Sequence, residues 1–215
     1  MFCIITPVFD GVFASIEPLI SDLQNQTYRD FQHIMISNGT SPNIKEIIEK
    51  VNDNRFVYTE IPYEDTSKFP DLIVNLGKRR NFCIKTYIAD RYFFFDADLL
   101  IIDNSFFEKI YEIHNKAELI ISRINHPGMK RELPILPIQR GNIDIANYSF
   151  SRKIAERYDY PTDYNGDVAN DWRFFDQIKE NVYFSNILYA IKDGRNTYIN
   201  LSALFIKWRT NRGIW

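Results

Sequence analysis

Short apolar runs alternate with helical patterns along the first 124 residues, and this alternation constrains the fold more than any other feature. The apolar runs have lengths typical of strands; they are FCIITPVF, FQHIMIS, RFVYTEI, RYFFFDA and ELIISRI. Between them lie segments with apolar residues at helical spacing, which include SIEPLISDLQNQ, NIKEIIEKVND, NLGKRRNFCIKTYIA and NSFFEKIYEIHN. Strands that alternate with helices of this length indicate βαβ units. The sequence therefore predicts an α/β fold with a mostly parallel central sheet flanked by helices.

The pattern becomes irregular after Arg123. The segment NHPGMKRELPILPIQRGN carries glycine and several prolines, which favours an irregular loop or an edge hairpin. Helices are predicted at about 148–158 and 170–180, and a further strand is predicted over VYFSNILYAI. We expect a single domain over 1–215, in which residues of about 1–100 bind a fixed cofactor and residues of about 101–215 bind a variable substrate.

Composition excludes several classes of protein. A chain of 215 residues with 45% apolar residues can bury a core, so disorder is not expected. The formal charge of −2 argues against a nucleic-acid partner, which usually requires a basic excess. No apolar stretch approaches the ~20 residues that a membrane span needs, and the N-terminus lacks signal-peptide features. We expect a soluble, cytoplasmic protein with Cys3 and Cys83 as buried thiols, and the ending KWRTNRGIW leaves room for a longer native chain.

Two carboxylates, Asp96 and Asp98, stand at the end of the apolar run YFFF with Ala97 between them. In open parallel sheets, ligands bind outside the carboxyl ends of the strands. Residues two apart on a strand point to the same side, so these carboxylates would repel each other unless a cation lies beside them. Oxygen ligands select Mg²⁺ or Mn²⁺, which proteins often share with substrate phosphates. A strand-ending turn, in which aspartate is common, is the alternative.

Arg80 is expected on the sheet-facing side of the third predicted helix, together with Cys83, Ile84 and Ile88. An arginine on a buried face needs an anionic partner. The candidates are Asp96 and a phosphate group bound at the same helix end. A buried arginine–aspartate pair without any ligand is the alternative.

Asp171 lies in GDVANDWRFFDQI, residues 166–178, where Trp172, Phe175 and Ile178 form an apolar stripe at helical spacing. Aspartate is common in the first turn of a helix, because it caps the backbone and complements the helix dipole. An ionised carboxylate beside an aromatic wall can also act as a general base. The sequence leaves both interpretations open.

Taken together, these segments resemble family 2-type glycosyltransferases of the GT-A fold. IITPVFD is similar to the family's opening strand, and LISDLQNQTYRDFQHIMISNGTS to its helix ending in Gln-Thr/Ser-Tyr, the following strand and Asp-Asp-Gly-Ser. RRN at 79–81, FFDADLL and NDWRFF resemble its Ala-Arg-Asn, Asp-x-Asp and Glu/Gly-Asp-Trp segments. The resemblance covers roughly residues 2–180 and implies a single Rossmann-like GT-A domain. A narrower resemblance is to the glycosyltransferase domain of chlorella-virus capsid-modifying enzymes.

The resemblance implies a role for each matching position. The nucleotide-sugar site would comprise Thr6, Pro7, Val8, Asp10, Asn38, Arg80, Asp96, Ala97 and Asp98. Asp98, together with Asp96, would ligate Mn²⁺ or Mg²⁺. Asp171 would be the catalytic base, and Trp172 would shape the acceptor pocket. Asn38 stands where the family usually has aspartate, which leaves the identity of the nucleotide base open.

Many GT-A enzymes add a late histidine to the metal, but the last histidine of this chain is His126. That ligand is therefore missing or replaced. Lys192, Arg195 or Asn196, in the segment IKDGRNTY, could face the diphosphate instead.

The resemblance implies a metal-dependent enzyme that transfers a sugar from a nucleoside-diphosphate sugar, with UDP favoured, to a hydroxyl of a glycan or glycoprotein acceptor. With Asp171 as the base the transfer would invert the anomeric configuration. A viral origin would place the enzyme in the host cytoplasm. The alternatives are a retaining transferase of the same fold and a non-catalytic carbohydrate-binding or assembly protein. A sugar-1-phosphate nucleotidyltransferase is less consistent, because TPVFDGVFAS lacks the Gly-rich, Arg-containing loop of that class.

Overall fold

A computed structural model of the chain describes residues 1–9, 13–126, 131–164 and 170–192. The strands in this part are β1 (Phe2–Val8), β2 (Phe31–Asn38), β3 (Phe56–Ile61), β4 (Arg91–Phe94), β5 (Leu99–Ile101), β6 (Leu119–His126), β7 (Arg131–Leu133), β8 (Tyr148–Ser151) and β9 (Val182–Lys192). The helices are α1 (Phe13–Gln24), α2 (Pro42–Val51), α3 (Phe69–Thr86), α4 (Phe106–Ile113), α5 (Arg152–Arg157) and α6 (Asn170–Ile178). No helix among the described residues is long and apolar enough to cross a membrane.

The strands form one sheet in the order β3-β2-β1-β4-β8-β6-β9-β5, and β7 pairs with β6 beside this path. The pairings β3–β2, β2–β1 and β1–β4 are parallel, as the alternation of strands and helices predicts. The second half is mixed, because β8 runs antiparallel to both β4 and β6 whereas β6 and β9 are parallel. The predicted central sheet flanked by helices is therefore confirmed, with the consecutive parallel strands confined to the first half.

Side chains of β1 alternate between two apolar cores, one on each face of the sheet. Phe2 and Ile4 pack into a core that includes buried residues of α1, α2 and α4. Cys3 and Ile5 pack into a second core with Cys83 of α3 and with buried residues of α5 and α6. This two-sided burial explains why the first strands read as continuous apolar runs, and both cysteines are buried free thiols as expected.

Two local expectations differ from the structure. Residues 148–151 were predicted as the start of a helix, but they form strand β8, and the helix that follows covers only Arg152–Arg157. Tyr148 and Phe150 alternate with two serines, and such a short alternation is hidden by the adjoining helical pattern. Ile88 was expected on the buried face of α3, but the helix ends at Thr86 and Ile88 is largely exposed. The predicted edge hairpin is confirmed by the antiparallel pair β6–β7.

Arg91 is a buried cation that fixes the start of β4. Its guanidinium donates to the backbone oxygens of His114 (2.8 Å), Ala117 (2.7 Å), Glu118 (3.4 Å) and Ser149 (3.0 Å). Burial lowers the pKa of Arg91 to about 10, which leaves it charged at neutral pH. The side chain therefore binds the segment after α4 and strand β8 to strand β4, which leads into the turn that contains Asp96 and Asp98 (the acidic turn).

We expect Arg91→Met to lower the free energy of unfolding by about 2–4 kcal/mol, because several buried carbonyl oxygens would lose a charged donor. The measurement is urea unfolding of the full chain. Arg152→Met is the matched control: its guanidinium pairs on the surface with Glu156, so its loss should leave the free energy of unfolding nearly unchanged. Equal losses for the two variants would contradict the role assigned to Arg91.

Candidate active site

The acidic pair lies at the carboxyl end of β4, as predicted, but in a turn. Strand β4 ends at Phe94, and the backbone N–H of Leu99 donates to the carbonyl oxygen of Asp96 at 3.1 Å. The alternation of a strand therefore does not set the directions of the two aspartates, which corrects the argument from strand period. Asp96 is partly exposed, whereas Ala97 and Asp98 are buried.

Arg80 lies at the centre of the site. Its Nη1 donates to the hydroxyl of Tyr160 at 2.7 Å and to Oδ1 of Asp171 at 3.2 Å. Its Nη2 lies 3.6 Å from Oδ1 of Asp96. The guanidinium also stacks over the rings of Tyr160 and Phe94, with its carbon 4.7 and 5.2 Å from the ring centroids. One buried cation thus joins the turn after β4 to the start of α6, and the expected Asp96 partner is present together with a second carboxylate.

Asp171 is the second residue of α6, in the first turn as predicted. Its side chain is 41% exposed, so it can meet a ligand, while Arg80 contacts it from the protein side. Desolvation raises the pKa of Asp171 above its usual value, and the negative charges of Asp96 and Asp144 add to this, whereas Arg80 and Tyr160 oppose it. A carboxyl group with a raised pKa is better matched to proton transfer near neutral pH than an ordinary aspartate.

Tyr160 belongs to the site, although no sequence pattern pointed to it. Its hydroxyl donates to Oδ1 of Asp171, and its backbone is bound on both sides by Asn81. The N–H of Tyr160 donates to Oδ1 of Asn81 at 2.7 Å, and Nδ2 of Asn81 donates to the carbonyl of Tyr160 at 2.9 Å. A Cβ on Gly77 would lie 2.4 Å from the carbonyl oxygen of Pro161, so glycine permits this close approach of α3. The RRN segment therefore holds Tyr160 through Asn81 and contacts its hydroxyl through Arg80.

Lys192, the last residue of β9, is a second buried cation beside Asp96. Its Nζ lies 2.6 Å from Oδ2 of Asp96 and 2.8 Å from Oδ2 of Asp144. Burial alone would lower the pKa of Lys192, but the charges of Asp144, Asp96 and Asp98 raise it well above its usual value. Lys192 was one of three residues predicted as able to face the diphosphate, and in the structure it contacts the acidic turn directly.

The acidic turn has the chemistry of a site for a hard divalent cation. Desolvation opposes ionisation of Asp96, but Lys192 and Arg80 keep the pKa of its carboxyl below the usual value, so the group is a charged oxygen donor at neutral pH. Within the described ranges, no three His, Cys, Asp or Glu side chains form a complete metal cluster. Mg²⁺ and Mn²⁺ are nevertheless often held by one or two carboxylates plus water and substrate phosphates. The residues present therefore fit such an ion, provided that Lys192 moves off Asp96.

Residues 6–8 form the carboxyl end of β1, and they present mainly backbone there. The side chains of Thr6 and Val8 are buried; the hydroxyl of Thr6 bonds to Nε2 of His33 at 2.8 Å, and Val8 packs in the first core. Pro7 is partly exposed. Arg79 is buried beside Arg80 and donates to the carbonyl of Val8 at 3.0 Å, so it fixes the end of β1. The predicted contact of Thr6 and Val8 with a nucleotide would therefore be made through their backbone.

Asn38 ends β2 and is engaged with the chain after β3. Its Nδ2 donates to the carbonyl of Glu64 at 2.7 Å, and its Oδ1 accepts from the N–H of Glu64 at 2.9 Å and from Asn75 at 3.1 Å. These contacts use most of its hydrogen-bonding capacity. Among the described residues, one N–H of the amide has an acceptor, which leaves the other for the predicted contact with a nucleotide base.

The remaining predicted residues lie at the margins. Trp172 is partly buried and packs on Phe175, with ring centroids 5.6 Å apart, so it forms part of the wall beside Asp171. Asp10, Arg195 and Asn196 lie outside the described residues.

A large cavity elsewhere does not compete as an active site. It measures about 850 Å³ and is lined by residues of α2 and of the loop that precedes β3, together with Phe56 and Tyr58. It lies toward the amino end of β3, whereas ligands of parallel sheets bind at the carboxyl ends. It also lacks a cluster of buried charges comparable to that around Arg80.

Comparison with solved structures confirms the GT-A fold. S. aureus TarS in complex with UDP-GlcNAc superimposes with a TM-score of 0.70 at 14% identity, over 94% of this chain and 60% of that one. TarS with UDP gives 0.67 at 17% identity, over 88% and 59%. Mannosyltransferase PcManGT from Pyrobaculum calidifontis, in complex with GDP-Man and Mn²⁺, gives 0.65 at 11% identity, over 99% and 64%. At these identities the likeness concerns the fold, and the chain spans about 60% of the TarS structures.

No protein-family model matches the sequence, and no curated protein matches it. The narrower resemblance to chlorella-virus capsid-modifying enzymes stays a prediction.

If Lys192 competes with a divalent ion for Asp96, Lys192→Met should bind Mn²⁺ more tightly in the absence of nucleotide. We expect a dissociation constant at least about tenfold lower, since ~1.4 kcal/mol of relieved competition suffices for that. Electron paramagnetic resonance of free Mn²⁺ during titration measures it directly. The control is Lys109→Met, which removes a lysine paired with Asp103 outside the site. Unchanged or weaker Mn²⁺ binding by Lys192→Met would contradict the competition.

Proposed function

We propose that this protein transfers a sugar from a nucleoside-diphosphate sugar to a hydroxyl group of a glycan or glycoprotein acceptor. The observation that carries the proposal is the buried guanidinium of Arg80, which contacts both Asp96 and Asp171 at the carboxyl edge of the sheet. The fold supports it, because structures of the same fold contain UDP-GlcNAc and GDP-Man. One side of Arg80 faces the turn expected to bind the donor, and the other side faces the expected base.

The donor side has to stabilise the negative charge that develops on the departing diphosphate. Arg80 and Lys192 are buried cations beside Asp96, and charges in a desolvated site act more strongly than in water. Lys192 is well placed to leave Asp96 and bind a phosphate oxygen. A divalent ion, Mn²⁺ or Mg²⁺, held by Asp98 and Asp96 would supply further positive charge to the diphosphate.

The acceptor side has to remove a proton from the attacking hydroxyl. Asp171 is exposed enough to reach an acceptor and has a raised pKa, so its carboxylate can take that proton. Attack on the face of the sugar opposite to the diphosphate inverts the anomeric configuration. Trp172 beside Asp171 offers an apolar wall against which an acceptor ring can pack.

The nucleotide of the donor is a further part of the proposal. UDP is favoured by the resemblance and by the TarS complexes, whereas the PcManGT complex contains GDP-Man. A retaining transferase of the same fold would use the donor site without Asp171 as its base, and a carbohydrate-binding protein would not consume the donor. A panel of UDP- and GDP-sugars with glycan acceptors, followed by NMR of the anomeric proton of the product, separates these alternatives.

We expect Asp171→Asn to lower kcat by about 10²–10⁴-fold, because the amide cannot accept the hydroxyl proton. The dissociation constant of the nucleoside diphosphate should change by less than about threefold, since neutralising Asp171 alters the donor side only indirectly. Nucleoside diphosphate release and calorimetric titration measure the two quantities.

Asp176→Asn is the matched control for that variant. It lies on the same helix but pairs with Lys179 at the surface, so it should retain wild-type turnover. Full activity of Asp171→Asn would refute the role of Asp171 as the catalytic base. If the product also keeps the anomeric configuration of the donor, the retaining alternative would be favoured. If the wild-type protein consumes no donor with any donor and acceptor of the panel, the alternative of a non-catalytic carbohydrate-binding protein would be favoured.

A further inference from the structure

The hydroxyl of Tyr160 lies between Arg80 and Asp171, and among the described residues its hydrogen has one acceptor, the Asp171 carboxylate. The guanidinium of Arg80 can only donate, so at 2.7 Å the phenol oxygen accepts from it. The phenol hydrogen is then directed to Oδ1 of Asp171. The direction of both hydrogen bonds therefore follows from the chemistry of the three groups.

The two oxygens of the Asp171 carboxylate are not equivalent. Oδ1 accepts from Tyr160 and from Arg80, the latter at 3.2 Å. Oδ2 accepts no hydrogen bond from any residue in the described part of the chain, although the side chain is 41% exposed. With respect to the described residues, the carboxylate thus has Oδ1 bound by the protein and Oδ2 available to a ligand.

The groups that hold Oδ1 are themselves fixed. Tyr160 is 2% exposed. Its ring packs edge-on against Phe94, with centroids 5.7 Å apart, and in a tilted arrangement against Phe174, with centroids 5.2 Å apart. Its backbone is bound by Asn81 on both sides. A phenol held in this way cannot follow a carboxylate that rotates, so it selects one orientation of Asp171.

We propose that Tyr160 is a positioning residue that orients Asp171 by binding Oδ1, and that Oδ2 is the oxygen that takes the proton of the acceptor hydroxyl. This inference rests on the proposed function and adds a residue that the resemblance did not include. Tyr160 exchanges no proton with the substrate. Its contribution is the fixed geometry that proton transfer requires.

Tyr160 also influences when Asp171 is ionised. The groups that face the carboxyl are Arg80 from α3, Tyr148 from β8, Asp96 after β4, and Asp144 before the 3₁₀ turn at 145–147. The hydrogen bond from Tyr160 lowers the pKa of Asp171, against the raising effect of burial. Without the hydroxyl the carboxyl should stay protonated to higher pH, and the acidic limb of the rate profile should move upward.

The test compares Tyr160→Phe with wild type in kcat, donor KM and the pH dependence of kcat. We expect kcat to fall about 10- to 100-fold, which is part of the contribution of an oriented base, with donor KM within about threefold. The acidic limb should shift to higher pH. The matched control is Tyr92→Phe, which also removes a hydroxyl from a buried tyrosine with 2% exposure, but at the opposite end of β4, where the hydroxyl bonds to the carbonyl of Tyr87.

Two results would overturn the inference. One is a Tyr160→Phe enzyme whose kcat, and the acidic limb of whose pH profile of kcat, match wild type. The other is a loss of kcat in Tyr92→Phe equal to that in Tyr160→Phe, with no shift of the acidic limb in either variant, which would indicate a general effect on packing. Asp171→Asn, measured in the same series, separates this failure from that of the proposed function: an active Asp171→Asn refutes the base itself, whereas an inactive one with unchanged Tyr160→Phe refutes only the positioning role.

Discussion

The arrangement of the candidate active site depends on one buried guanidinium, that of Arg80. Arg80 is almost fully removed from water, and a charge so buried is tolerated only with charged and hydrogen-bonded partners. Asp96, Asp171 and the Tyr160 hydroxyl provide them, from three segments that are distant in sequence. The arginine therefore fixes the relative positions of the turn after β4, the start of α6 and the segment after α5. Removal of the cation would leave two carboxylates facing each other.

The same arrangement links the two halves of the proposed reaction. A bound diphosphate that attracts the Arg80 guanidinium would weaken the contact between Arg80 and Asp171. The Asp171 carboxylate would then be a stronger base, because it would have lost a nearby positive charge. Lys192 adds a second adjustable charge, because it shares Asp96 with any divalent ion that binds there. In the proposed reaction, donor binding would therefore influence proton removal modestly, through the charges around Arg80.

Local sequence patterns predict the parts of this account that depend on neighbours along the chain. The periodicity of β1 to α3 predicted the parallel half, and the position of Asp171 in the first turn of α6 followed from the helical stripe beside it. Tyr160 and the pairing of Lys192 with Asp96 could not be predicted, because these contacts join residues about 80 to 96 positions apart. The burial of Thr6 and Val8 depends on elements that cover both faces of β1, so it too follows only from the tertiary structure. Residue types indicated the chemistry, and only the tertiary structure identified the contacts.

The most direct test of the account is a crystal structure of the protein with a nucleoside diphosphate and Mn²⁺. The account predicts that the diphosphate lies within hydrogen-bond distance of the Arg80 guanidinium, that Mn²⁺ contacts a carboxylate of the acidic turn, and that the Lys192 ammonium has left Asp96. A nucleotide bound at the amino edge of β3, or one bound while Lys192 and Arg80 keep all their carboxylate contacts, would contradict it.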